Sequence, residues 1–212
     1  MAELFDFDRN YGIVIGTDEA GRGPAAGGVF AAAVYFPEVT ESLMVDLARL
    51  NDSKKLSPVA REKLFDIIKD NSVNSVINVE VDEIEKINIL NAALKAMKVA
   101  CENVIQEAGL KDLITLVDGN KSIKNYTYPQ KFIIKGDGQS ASIAAASILA
   151  KVTRDRYMTE LAAEYPQYGW NRNAGYLTYE HLRAIDEYGL TKYHRPSFLR
   201  KHFEKQKQLT LF

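Results

Sequence analysis

Two kinds of hydrophobic periodicity alternate along the first 165 residues, and that alternation most constrains what the chain can fold into. Short apolar runs at residues 12–16 (GIVIG), 28–36 (GVFAAAVYF), 113–117 (LITLV) and 131–134 read as strands, and residues 73–81 (VNSVINVEV) alternate as a strand does. Helix-period segments lie between them. Residues 43–50 form a short one, and residues 58–70 a longer one with Ser57 as N-cap and Pro58 at the first helical position. Residues 88–108 place Leu90, Leu94, Met97, Cys101, Val104 and Ile105 on one face and stop at Gly109. An alanine-rich helix follows, over residues 140–165. Beyond Pro166 the chain is rich in aromatic and turn residues, with a short helix near 179–187. Strands and helices interleaved in this way predict a single α/β domain with a C-terminal helical extension.

Composition narrows the class further. The 212 residues, 46% of them hydrophobic, suffice for one well-buried core and exclude disordered, collagen-like and disulfide-scaffold classes. The longest apolar runs, 27–36 and 143–150, fall far short of the ~20 residues a membrane span needs. The acidic N-terminus lacks a basic region followed by an apolar stretch. The single cysteine, Cys101, sits on an apolar helical face and reads as a core residue. Together these features predict a reducing, cytoplasmic location and no membrane. A formal net charge of −1 conceals an asymmetry: residues 1–120 carry 12 Lys and Arg against 20 Asp and Glu, and residues 121–212 carry 15 against 8. Segments of opposite sign point to a charged partner.

Carboxylates recur at the ends of elements. Asp18 and Glu19 leave the first strand, Asp118 ends the LITLV strand, and Asp137 lies in a glycine-flanked turn before a helix. Sheet edges of this kind are where active sites of α/β folds lie. Several close carboxylates suit Mg²⁺ or Mn²⁺, and two such ions about 4 Å apart activate a water and stabilise the leaving oxygen in phosphodiester hydrolysis. Taken singly, each has a plainer reading: Asp118-Gly119 as a hairpin turn, Asp137 as the charge at a helix N-terminus. Gly21-Arg22-Gly23 follows the acidic pair, its glycines allowing close backbone approach and its arginine suiting phosphate.

At this point longer strings carry a resemblance. TDEAGRGP (17–24), NDSKKLS (51–57), VDGN (117–120), KGDGQSASIAAASILAKVTRDRYM (135–158) and the stretch from YPQYGWNRNAGYLTYEHL to HRPSF (165–198) resemble, in order, the motifs of bacterial ribonuclease HII. Ribonuclease HIII shares parts of this pattern but carries an extra N-terminal domain, whereas about ten residues precede the first strand here. The resemblance implies a ribonuclease H-like α/β fold, a mixed central sheet flanked by helices, over residues 1–198, with a basic tail at 199–212. It also implies a monomeric, metal-dependent endonuclease acting on RNA in RNA–DNA hybrids. Such an enzyme cuts 5′ of single ribonucleotides in duplex DNA, leaving 3′-hydroxyl and 5′-phosphate ends, as in ribonucleotide and RNA primer removal. The family's metal-binding, catalytic carboxylates fall on Asp18, Glu19, Asp118 and Asp137, and Mg²⁺ or Mn²⁺ is the implied cofactor. Its 2′-hydroxyl-reading motif falls on Gly21, Arg22 and Gly23, its junction tyrosine on Tyr176, and two lysines near phosphate on Lys54 and Lys55. His194-Arg195 matches the family's His-Arg pair, in a structural or phosphate-contact role. Ala174 stands where lysine is common and Leu177 where glycine is usual, departures that touch the loop around Tyr176 and not the carboxylates.

The chain ends in Gln208-Leu209-Thr210-Leu211-Phe212 after a basic stretch. This string resembles the peptide by which bacterial replication and repair proteins bind the DNA sliding clamp. Leu209, Leu211 and Phe212 then fill apolar pockets and Gln208 sets the register.

Overall fold

Five strands form one mixed sheet in the computed structural model, which describes residues 2–50 and 57–209, with side chains for 3–50 and 57–204. In chain order the strands are β1 (Val14–Ala20), β2 (Val29–Tyr35), β3 (Val73–Val79), β4 (Ile114–Asp118) and β5 (Gln130–Ile133). Their spatial order is β3-β2-β1-β4-β5. β2 is antiparallel to both β1 and β3, whereas β4 runs parallel to β1 and β5 parallel to β4. Asp118-Gly119 is therefore not a hairpin turn: it lies at the end of a parallel strand.

The helices are α1 (Ala2–Arg9), α2 (Glu41–Asp46), α3 (Pro58–Asn71), α4 (Val81–Ile87), α5 (Ile89–Ala108), α6 (Ala141–Glu164), α7 (Trp170–Asn173), α8 (Tyr179–Tyr188) and α9 (Pro196–Leu209). α5 covers one face of the sheet, packing Met97, Cys101 and Val104 against Ile15, Ala31 and Ala33. α6 covers the other face, where Ala144, Ala145 and Ile148 meet Ala32, Val34 and the α3 residues Leu64 and Ile68. Nearly every residue in the first half of α6 is buried, as a helix apolar all round requires. The helix also lies very close to the sheet. A Cβ on Gly16 of β1 would fall 2.2 Å from the Ile143 nitrogen, so only glycine fits there.

Local signals account for most boundaries. The Ser57 hydroxyl accepts the Ala60 amide at the start of α3, Asn88 caps α5, and Gly109 ends it in a left-handed conformation. Several boundaries differ from the sequence expectation. The first strand, expected at 12–16, runs on to Ala20, so Asp18 and Glu19 lie inside β1, paired with Ala32 and Ala31 of β2, and not beyond its end. The strand expected to reach residue 81 ends at Val79, because Val81 and Ile84 are buried at helical spacing in α4. The helix expected at 43–50 is α2, begun earlier by Thr40, whose hydroxyl accepts the Leu43 amide at 3.1 Å; Leu47 and Leu50 stay buried in the turns after it. The acidic N-terminus is helical, since α1 buries Leu4 and Phe5, and its Asp8 carboxylate accepts the Ser142 amide of α6 at 2.9 Å.

The C-terminal helices close over an aromatic cluster in which Tyr168 stacks on Trp170 at 5.0 Å. α9 runs through residue 199, where the tail is expected to begin. Lys54, Lys55, Leu211 and Phe212 lie outside the described residues; Gln208 and Leu209 are placed by backbone alone, in α9. Among the described residues no helix is long and apolar enough to cross a membrane.

Candidate active site

β1 and β4 are parallel neighbours with Thr17 opposite Val117, so the next residue of each, Asp18 and Asp118, stand side by side at the same sheet edge. Asp18 is only 6% exposed; its Oδ1 accepts the Glu19 amide at 2.7 Å, and the nearby Ser147 hydroxyl of α6 favours its ionised form. Asp118 Oδ1 accepts the Gly136 amide at 2.6 Å, which ties β4 to the 3₁₀ turn Gly136–Gly138 that carries Asp137. The N-terminus of α6 is capped by Ser140 and Asp8 rather than by Asp137. Asp137 instead lines, with Asp18, Glu19 and Asp118, one cleft of about 380 Å³.

Crowding of like charge sets the electrostatics. Burial, then Glu19, then Asp118 raise the Asp18 carboxyl well above the ordinary range. Burial raises Glu19 as well, while Arg22, whose Nη1 lies 3.0 Å from Glu19 Oε1, draws it back. Among the described residues, no three carboxylate, imidazole or thiol side chains converge tightly enough to enclose an ion as they stand. The donors are nevertheless hard carboxylate oxygens held at one edge against mutual repulsion, the chemistry a divalent cation relieves, so the residues present fit such an ion.

The glycine loop forms another wall. Gly21 has φ of +96° and lines the cleft above Arg154. A Cβ on Gly23 would lie 3.2 Å from Cε1 of Tyr176, so this glycine lets the tyrosine ring rest against the loop. Tyr176 itself is 53% exposed and lines the same cleft. Arg154, buried, donates to the carbonyls of Ala26 and Ala174 at 3.1 Å, and the Ala25 amide donates to the Gly175 carbonyl at 2.9 Å. Arg195, fully buried, donates to the carbonyls of Pro24 at 2.8 Å and of Gly27 at 2.6 and 2.9 Å. His194 is likewise buried, so neither member of the His-Arg pair reaches a phosphate at the surface.

Sequence reasoning missed Ser147, Lys151 and Arg154, which line the cleft from α6 together with Arg61 of α3. Their spacing, i, i+4 and i+7, puts the three on one helix face and was a readable signal.

The sequence profile of the ribonuclease HII family matches residues 15–206. The chain belongs to the ribonuclease HII family. It is 49% identical over 208 residues to ribonuclease HII of Fusobacterium nucleatum, covering 98% of this chain and 95% of that one. It is 47% identical over 198 residues to ribonuclease HII of Rickettsia akari, covering 92% and 97%. Among solved structures, ribonuclease H2 of Pyrococcus horikoshii superposes with a TM-score of 0.69 at 28% identity, over 91% of this chain and 97% of that one. Ribonuclease HII of Archaeoglobus fulgidus, solved in complex with PCNA, gives 0.70 at 24% identity, over 86% and 93%. Bst ribonuclease HIII, solved in complex with Mn²⁺, gives 0.64 at 19% identity, over 84% and 63%. The fold is thus ribonuclease H-like, and the chain is an endonuclease of the ribonuclease H class, a metal-dependent class, acting on RNA in RNA–DNA hybrids.

Proposed function

We propose that this ribonuclease HII cuts the phosphodiester on the 5′ side of a ribonucleotide embedded in duplex DNA, leaving a 3′-hydroxyl and a 5′-phosphate. One observation carries the reading: the Tyr176 ring rests against Gly23 in the same cleft as the four carboxylates. Asp18, Glu19, Asp118 and Asp137 would hold Mg²⁺ or Mn²⁺. When bound, these ions supply the Lewis acidity that activates the attacking water and stabilises the departing 3′-oxygen. The Glu19 amide orients Asp18, Ser147 favours its ionised form, and the Gly136 amide orients Asp118. The backbone of Gly21–Gly23 tests for the ribose 2′-hydroxyl, the group that separates RNA from DNA, and Tyr176 packs on the neighbouring deoxyribose. Lys54, Lys55, Arg61 and Lys151 bear on the phosphate backbone, where local positive charge outweighs the near-zero net charge of the chain. The natural task is removal of misincorporated ribonucleotides and RNA primers, with Gln208–Phe212 tethering the enzyme, as a monomer, to the bacterial sliding clamp.

Cleavage-site mapping on a duplex with one ribonucleotide, beside an all-DNA duplex, tests this. A single cut 5′ of the ribonucleotide with Mg²⁺ or Mn²⁺, and none in the all-DNA duplex, is expected. A cut on the 3′ side, or equal cutting of both duplexes, contradicts it.

A further inference from the structure

Beneath Tyr176 runs a buried polar chain that the chemistry above leaves unused. His181 of α8 and His194 are 0% and 1% exposed, and their Nε2 atoms lie 3.2 Å apart. The Thr191 amide donates to His194 Nδ1 at 2.9 Å, which makes that nitrogen an acceptor and puts the imidazole proton on Nε2. His194 Nε2–H then points at His181 Nε2, sharing that nitrogen's single lone pair with the Trp170 indole N–H, which lies at 3.0 Å. With Nε2 an acceptor, His181 carries its proton on Nδ1, and Nδ1 lies 2.9 Å from the Tyr176 carbonyl oxygen. Hydrogen bonds therefore run one way, from Thr191 through His194 and His181 to the backbone of Tyr176.

The surroundings favour the neutral form of both rings and pack closely around them. Burial pushes both imidazoles below their ordinary range, His194 to about 4. Tyr168 packs edge-on against His194 at 4.8 Å, and Trp170 lies 5.2 Å from the same ring. At the far end, the Tyr176 carbonyl also accepts the Thr178 amide at 2.8 Å, and the Tyr176 amide donates to the Asn173 carbonyl at 2.9 Å. The ring at the mouth of the cleft is half exposed, yet its peptide is gripped from below on both sides.

We propose that His181 and His194 are positioning residues for ribonucleotide recognition. Their one-directional hydrogen-bond chain sets the peptide plane of Tyr176 and so the angle at which its ring meets Gly23 and the sugar at the junction. The proposal rests on Tyr176 reading that junction.

The test compares kcat/KM on a duplex with one ribonucleotide and on a long RNA–DNA hybrid, which offers no deoxyribose beside the cut. His181→Ala should lower the single-ribonucleotide to hybrid ratio about fivefold to tenfold, the scale of one buried hydrogen bond. His181→Asn, which keeps a donor near the Nδ1 position, should retain most of the ratio. In a Tyr176→Ala background, His181→Ala should change the ratio no further, because coupled residues are non-additive. If His181→Ala does not fold, His194→Asn, which keeps an acceptor for Thr191 but cuts the link to His181, should show the same selective loss. An equal fall on both substrates, or the full effect persisting without the Tyr176 ring, overturns the proposal. A Tyr176→Ala variant with an unchanged ratio removes its premise, and that failure is distinguishable because it appears before any histidine is altered.

Discussion

Arg154 donates through both Nη1 and Nη2 to one oxygen, the Ala174 carbonyl, at 3.1 Å each, while Nη2 also reaches the Ala26 carbonyl at 3.1 Å. One guanidinium thus spans the loop that carries Gly21–Gly23 and the loop that carries Tyr176. A lysine offers a single point charge and cannot bridge them. Arg154→Lys should lower unfolding stability by about 2–4 kcal/mol, since buried donors and acceptors lose their partners. It should also reduce cleavage of a single-ribonucleotide duplex more than tenfold. Urea unfolding and steady-state kinetics check both, and a variant matching the parent in each would show that the bridge is dispensable.

The carboxylate edge should behave as a metal-dependent centre. Asp18→Asn and Asp118→Asn should each lower cleavage on the order of a thousandfold or more, several kcal/mol of barrier, while binding of an RNA–DNA hybrid survives. A chelator should abolish cleavage by the parent, and added Mg²⁺ or Mn²⁺ should restore it.

The same edge predicts an unusual pH dependence in metal-free protein. Asp18 and Glu19 both titrate above their ordinary values in the folded state, so the folded chain binds their protons more tightly than the unfolded chain does. Stability then falls as pH rises from the ordinary carboxyl range through those raised values, the reverse of a salt-bridged carboxylate. Asp18→Asn should flatten that slope and melt at or above the parent when chelator is present. Thermal melts across pH, with and without Mg²⁺, read this directly, and a steeper slope in the variant would contradict it.

Gly23 and Tyr176 form a contact that admits no further atom. The Cβ of Gly23→Ala would sit 3.2 Å from Tyr176 Cε1, so the ring must shift by a few tenths of an ångström. Selectivity for a single ribonucleotide over a long hybrid should fall several-fold, with the melting temperature little changed. Equal loss on both substrates would place the defect in catalysis.

The tail should be separable from the chemistry. Deleting residues 208–212 should leave cleavage of a short duplex intact and abolish capture by a bacterial sliding clamp. Clamp capture that survives the deletion would assign binding to another surface.

Periodicity in the sequence by itself determined most of the elements. β1, β2, β4, α5 and α6 overlap the segments their apolar spacing marks, because a buried face imposes a period of two or of 3.6 on any chain. Residue chemistry and motif order likewise singled out Asp18, Glu19, Asp118 and Asp137, whose roles the cleavage and metal experiments now test. Tertiary structure alone decided what those faces meet. Nothing local says that β1 pairs in parallel with β4, yet that pairing brings Asp18 beside Asp118 across 100 positions of sequence. The eight residues of α1 are too few to be stable alone and are helical because Leu4 and Phe5 are buried. Arg154, Arg195, His181 and His194 carry polar groups whose partners lie on distant carbonyls or rings, and spacing along a chain reports burial without naming the partner. The carboxylates could be read from the sequence, whereas the scaffold that aims Tyr176 at Gly23 existed only once the chain had folded.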